Sequence, residues 1–237
     1  MFRARQLAAA SATGGDETGW FEQLYAEGEA GTAIVPWVLG GPNESLVEWA
    51  AGLDGISRLD GTDRLDGQGK LDGQGKSALV VGCGTGDDAE FLAGLGFAVT
   101  GFDIAPTAIA AARRLHPGST VRYEVADLLN LPAEWSGVFD LVVEIYTVQP
   151  LYGEVRARAL AALRGPVAPG GTLLVIAWAT DEDNPVRDPA MMPWPLTPAE
   201  LDVAAGPLRA RRIEQFMGNV PALPRWRAEF VRDLPDE

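Results

Sequence analysis

From Ser77 onward the chain alternates short apolar runs with stretches of helical spacing, the pattern of a parallel sheet with crossover helices. Ala78 to Val81 predicts a buried strand, Asp87 to Leu95 a helix, and Phe97 to Phe102 a second strand. Pro106 opens a helix that runs to about Leu115, where Pro117-Gly118 stops it. Val121 to Val125 and Phe139 to Ile145 read as the third and fourth strands, Glu154 to Leu163 as the next helix, and Thr172 to Ala179 as an apolar fifth strand after the Gly170-Gly171 turn. Thr197-Pro198-Ala199-Glu200 is a capping box with proline at the first helical position, and Leu196 can staple onto Leu201. Arg212 to Met217 and Trp226 to Val231 then predict a final pair of strands.

Before Ser77 the signals are weaker. Trp20, Phe21, Leu24 and Tyr25 form one apolar stripe, ended by Gly28 and Gly31, and Pro42-Asn43 starts a short helix carrying Leu46, Val47, Ala50 and Leu53. Residues 1–18 are too alanine-rich and too short of apolar length for a signal peptide, and are expected to be a mobile tail. Residues 59–76 read LDGTDR, LDGQGK, LDGQGK. Their acids match neither EF-hand nor RTX spacing, so the repeat is expected to be a surface loop rather than a calcium site.

Length and charge narrow the partners. A chain of 237 residues holds one α/β domain with decorations, here taken as 19–237 with the repeat loop inside it. A net charge of -14 opposes phosphate backbones, so a nucleic-acid partner is not expected. No apolar run approaches the roughly 18 residues that span a bilayer. One cysteine, Cys83, allows no internal disulfide and fits a reducing, cytoplasmic setting. Nothing in the composition specifies an oligomeric state.

The chemistry concentrates at Val80-Val81-Gly82-Cys83-Gly84-Thr85-Gly86, a strand running into a glycine turn that opens a helix. Such a turn lets a ligand approach the backbone. Asp103 follows at the end of the second strand, where a Rossmann acid accepts from a ribose diol, so the ligand is expected to carry an adenosine-like sugar. The glycines at 82, 84 and 86 are spaced one residue tighter than a dinucleotide fingerprint, and Asp87 would face a pyrophosphate badly. An NAD-dependent oxidoreductase is thereby disfavoured.

VVGCGTG, GFDIAPTAI, YEVADLLNLP, FDLVVEIYTVQPL and LRGPVAPGGTLLVIAW, in that order, resemble successive motifs of the class I S-adenosylmethionine-dependent methyltransferases, from about Trp20 to the C-terminus. The resemblance implies an α/β, Rossmann-like fold: a mostly parallel seven-stranded sheet with an antiparallel last strand and helices on both faces. It implies S-adenosylmethionine as cofactor, with Gly82, Gly84 and Gly86 along its methionine and ribose, Asp103 on the ribose hydroxyls, Ile104 on adenine, and Asp127 with the Leu128 backbone at the adenine amino group. Glu144 and Tyr146 would face the transferable methyl as catalytic candidates. Val80 stands where many members carry an acid, so the methionine amine would need another partner, such as Glu144.

WFEQLYAEGEAG with VPWVLGGPN, and MPWPLTPAEL, look similar to the thiopurine and thiol methyltransferase branch, which makes Trp37 a lid candidate over the sulfonium. The expected activity is methylation of a small molecule, a thiol or related sulfur nucleophile. The alternatives are a small-metabolite N- or O-methyltransferase and a non-catalytic S-adenosylmethionine-binding protein. His116, at the end of a crossover helix, is expected far from the crevice, Cys83 as filler under the loop, and the acids around Asp181 and Arg187 as a solvated loop.

Overall fold

A computed structural model describes residues 2–14, 18–52, 71–182, 187–188, 191–217 and 224–235. Strands β1 (Ser77–Val81), β2 (Ala98–Asp103), β3 (Arg122–Val125), β4 (Phe139–Ile145), β5 (Val167–Trp178), β6 (Arg209–Met217) and β7 (Pro224–Val231) form one sheet in the order β3-β2-β1-β4-β5-β7-β6. The neighbours among β1 to β5 pair in parallel. β7 runs antiparallel to both β5 and β6, so the reversed strand is the last in the chain, as expected.

Strand periodicity sorts the core into two layers. Leu79, Val81 and Val142 face α6 (Gly153–Ala162) and α7 (Pro198–Ala205). Ala78, Val80, Leu141 and Val143 face α3 (Glu44–Ala50), α4 (Asp87–Gly94) and α5 (Pro106–Leu115). The helix starts follow the local chemistry. Asn43 Oδ1 accepts from Ser45 N to cap α3, and Thr197 and Glu200 form both halves of the capping box of α7. β5 starts at Val167, ahead of the expected turn, because Val167 pairs with Phe139 before the register shifts.

Two expectations are corrected. Phe2–Gly14 is helix α1, packed on α2 (Trp20–Glu29), with Ala4 and Leu7 buried beside Trp20, Leu24 and Met192. The Arg3 guanidinium pairs with Glu27, and Arg5 Nε donates to the Met192 carbonyl at 2.7 Å. Alanine's helix propensity and one narrow apolar stripe are enough here because a partner surface exists. The first two copies of the six-residue repeat lie outside the described residues, but the third is no free spacer. Leu71 is buried and its N–H donates to Ala50 O at 2.8 Å, and a Cβ on Gly73 would stand 2.2 Å from the Phe97 ring.

Candidate active site

A cavity of about 590 Å³ opens at the C-terminal ends of β1, β2 and β4, where strand order reverses. In open α/β sheets the crossovers diverge at that point and leave a crevice. Of the glycines singled out, Gly82 and Gly84 line it. Gly82 has φ 59°, and a Cβ there would stand 2.5 Å from Thr147 Cγ2, so the loop lies directly on the turn after β4. Gly86 does not line the cavity: it has φ 95° as the cap of α4, and a Cβ there would run into the Tyr123 hydroxyl. Its bareness serves packing behind the loop.

Asp103, Ile104, Asp127 and Leu128 all line the cavity. Asp103 is buried and accepts from Gly84 N at 3.0 Å and Ala105 N at 2.9 Å, which ties the glycine loop to the end of β2. Burial pushes its carboxyl up to about 6 against the pull of those backbone donors. Asp127 spends one oxygen capping the turn Leu128–Asn130 through Leu129 N. Trp37 also lines the cavity and donates from Nε1 to Tyr25 Oη at 2.8 Å. Trp20, Phe21 and Tyr25 surround its ring edge-on, and α2 is anchored by Glu22, which accepts from Thr107 N and Oγ1.

Glu144 is where the structure departs from expectation. It is completely buried, accepts from Thr147 N at 2.7 Å and Val148 N at 3.0 Å, and does not line the cavity. Alternation decides this: Val142 and Glu144 share the α6 face of β4, while Val143 and Ile145 take the other. Glu144 therefore meets neither a methionine amine nor an acceptor. It holds the turn whose Thr147 hydroxyl donates to Val81 O at 3.0 Å.

Burial raises the Glu144 carboxyl from 4.5 to about 7. Between those values the unfolded chain releases this proton and the folded chain keeps it, so stability falls as pH rises through the window, by about 3 kcal/mol in total. Glu144→Gln keeps an acceptor for Thr147 and Val148 and cannot ionise. It is expected to match wild type in urea titrations at pH 4 and to exceed it at pH 8. Equal midpoints at both pH values would refute the assignment.

Tyr146, by contrast, lines the cavity at φ 58°, with its ring 6.4 Å from Trp178 and its hydroxyl against Asn43 and Arg225. Burial pushes its phenol up, so the group stays neutral. Cys83 is buried under the loop against Gly101, its thiol pushed well up by burial, which suits filler. His116 lies closer than expected. It leaves helical geometry after α5 and places Nε2 3.1 Å from Thr85 O behind the loop, though it does not line the cavity. Asp181 and Glu182 are exposed, whereas Arg187 pairs with Glu200. Asp183 is outside the described residues.

Among the lining groups that sequence reasoning gave no role at the site are Tyr25, Trp178 and Arg225. Tyr25 looked like one more residue of an apolar stripe, Trp178 like one more residue of an apolar strand, and Arg225 lies far along the chain from the glycine loop.

The glycine turn, the buried acid after β2 and the reversed last strand are those of a Rossmann-like, methyltransferase-type fold. Residues 78–171 match the family described as a methyltransferase domain, whose cofactor is S-adenosylmethionine. The ubiquinone biosynthesis O-methyltransferase of Burkholderia lata is 37% identical over 100 residues, 40% of this chain and 41% of that protein. The chain thus spans about two fifths of the length of the curated relatives it matches. A solved structure described as "Conversion of a Disulfide Bond into a Thioacetal Group during Echinomycin Biosynthesis" superposes with a TM-score of 0.64 at 26% identity, over 91% of this chain and 94% of the other. The N-methyltransferase NodS from Bradyrhizobium japonicum, in complex with S-adenosyl-L-homocysteine, shares the fold with a TM-score of 0.62 at 17% identity, over 89% and 98% of the two chains.

Proposed function

We propose that this protein methylates a small molecule at sulfur, with S-adenosylmethionine as donor. When bound, that cofactor supplies an electrophilic methyl group on a sulfonium. The residues present fit it. The bare backbone at Gly82 and Gly84 leaves room for a ligand, and Asp103 keeps lone pairs for a ribose diol. Ile104, Asp127 and the Leu128 backbone stand in the lining for the adenine. Trp37 and Tyr25, joined by their hydrogen bond, wall the same side and shield a cation from water.

The observation that carries the choice of sulfur is the makeup of the other side. The carboxylates lining the cavity, Asp87, Asp88, Asp103 and Asp127, belong to the glycine loop, the start of α4 and the ends of β2 and β3. The turn after β4, the end of β5, the start of β7 and Met192-Pro193 contribute Tyr146, Thr147, Gln149, Trp178, Arg225 and apolar groups, with no histidine, lysine or carboxylate among the described residues there. Glu144 is sealed beneath Thr147. A thiol with a pKa near 8.5 is already a few per cent thiolate at neutral pH and needs little help from a base. Its sulfur forms the new bond to carbon, the donor sulfur keeps the electron pair of the bond that breaks, and the thiol proton leaves to solvent. Holding the reactants in line lowers such a barrier by about 7–11 kcal/mol. The structural relative concerned with a disulfide and a thioacetal, which is matched over nearly its whole length, supports the same choice.

The O-methyltransferase name of the curated relatives favours oxygen as the second reading. Isotope transfer from labelled S-adenosylmethionine to matched thiols, phenols and amines separates them. Thiols are expected to be labelled fastest. Phenols labelled while every thiol stays at background would move the assignment to oxygen, and cofactor binding without any transfer would make this a binding protein.

A further inference from the structure

Among the described residues one cation lines the cavity. Arg225 opens β7, paired across the sheet with Trp178 of β5 and Phe216 of β6, and its guanidinium lies against the Tyr146 hydroxyl. Its Nε is buried and has no hydrogen-bond partner among the described residues. No ion pair to Arg225 occurs among them either. Arg187 shows the same buried Nε but pairs with a carboxylate, as other arginines of the fold do. Arg156 and Arg187 share Glu200, Arg212 and Arg227 share Glu214, and Arg211 lies 4.0 Å from Glu229. With 33 acids against 19 lysines and arginines, the chain does not lack partners to offer. An arginine without a carboxylate partner among the described residues, half-buried beside Trp178 and hydrogen-bonded to the Tyr146 hydroxyl, keeps a donor for a ligand anion.

Charge is also divided within the cavity. Its aspartates stand on the glycine loop, α4 and the ends of β2 and β3, suited to a cationic donor, and its arginine stands on the opposite strands. A guanidinium presents a planar fork that matches a carboxylate through two parallel hydrogen bonds. The Tyr146 hydroxyl beside it is a neutral donor.

We propose that the methyl acceptor carries a carboxylate separate from the atom that is methylated, and that Arg225, with the Tyr146 hydroxyl, binds it. The word acceptor rests on the methyltransferase reading; the binding of a carboxylate at Arg225 does not. Arg225 is then a specificity residue: it selects acidic acceptors over their neutral counterparts and sets which end of the acceptor points away from the donor.

The test uses 4-mercaptobenzoate, 4-hydroxybenzoate and 4-aminobenzoate, each against its methyl ester, titrated calorimetrically into the full chain with saturating S-adenosylhomocysteine. Each acid is expected to bind at least tenfold tighter than its ester. Arg225→Met should bring the acids to the level of the esters while S-adenosylhomocysteine affinity changes less than twofold. Arg225→Gln serves if the methionine variant fails to fold. Acids and esters of equal affinity in wild type, or a preference that survives in the variant, would overturn the proposal. Binding needs no turnover, so the outcome is independent of whether sulfur, oxygen or nitrogen is methylated. A protein that does not bind S-adenosylhomocysteine would fail the proposed function instead, and the acid-to-ester comparison without it would still decide the role of Arg225.

Discussion

Arg156→Met is expected to cost the fold about 3–5 kcal/mol, the range for removing one partner of a buried, hydrogen-bonded ion pair. The Arg156 side chain is 2% exposed and pairs with Glu200 through Nε at 2.5 Å. It also donates to the carbonyls of Gln149 at 2.9 Å, Trp194 at 3.3 Å and Pro195 at 3.1 Å. Those carbonyls belong to two stretches far apart in sequence, the turn after β4 and the segment before α7, and Gln149 and Pro193 line the cavity beside them. Methionine fills the volume but removes the guanidinium from the Trp194 and Pro195 carbonyls, leaves the Gln149 carbonyl with Trp194 N alone, and leaves Arg187 as the remaining cation on Glu200. Urea denaturation reads the loss. A shift below about 1 kcal/mol would show that the two stretches hold their places without this arginine.

Asp103→Ala is expected to weaken S-adenosylhomocysteine binding by well over tenfold in calorimetry. Two bonds from a ribose diol to a carboxylate contribute about 1.5–3 kcal/mol each, and a decade of affinity corresponds to about 1.4 kcal/mol. The variant also releases Gly84 N and Ala105 N, which Asp103 holds in the free protein. Burial places the Asp103 carboxyl near 6, and the diol favours the charged form. Wild-type affinity therefore falls as pH drops below about 6, whereas Asp103→Asn should not show that fall. Undiminished binding by Asp103→Ala would remove this residue from the cofactor site.

That Gly82, Gly84, Asp103 and Asp127 share one cavity was legible because they sit close to strand ends in the chain. A strand that stops at Val81 must place Gly82 and Gly84 at its tip, and one that stops at Asp103 must place that acid beside them. The same logic failed at Glu144. The residue stands at a strand end, but a strand has two faces, and which face met the cavity depended on the turn taken at Tyr146. It failed again at Gly86, since its neighbour Tyr123 comes from β3, far along the chain.

By itself, then, the sequence determined the alternation of strands and helices from Ser77, the caps at Asn43 and Thr197, the reversed last strand and the glycine turn with its acid. The reversed last strand came from the family resemblance, and the rest follow from local periodicity, backbone conformation and residues a few positions apart. The tertiary structure alone decided that α1 and the third repeat copy are anchored, since a short alanine-rich helix and a glycine-rich turn are ordered only by the surfaces they meet. It also decided the other side of the cavity, where Tyr146, Trp178, Met192 and Arg225 converge from separate elements. Their proximity is a property of sheet order and long-range packing, and no spacing along the chain encodes it.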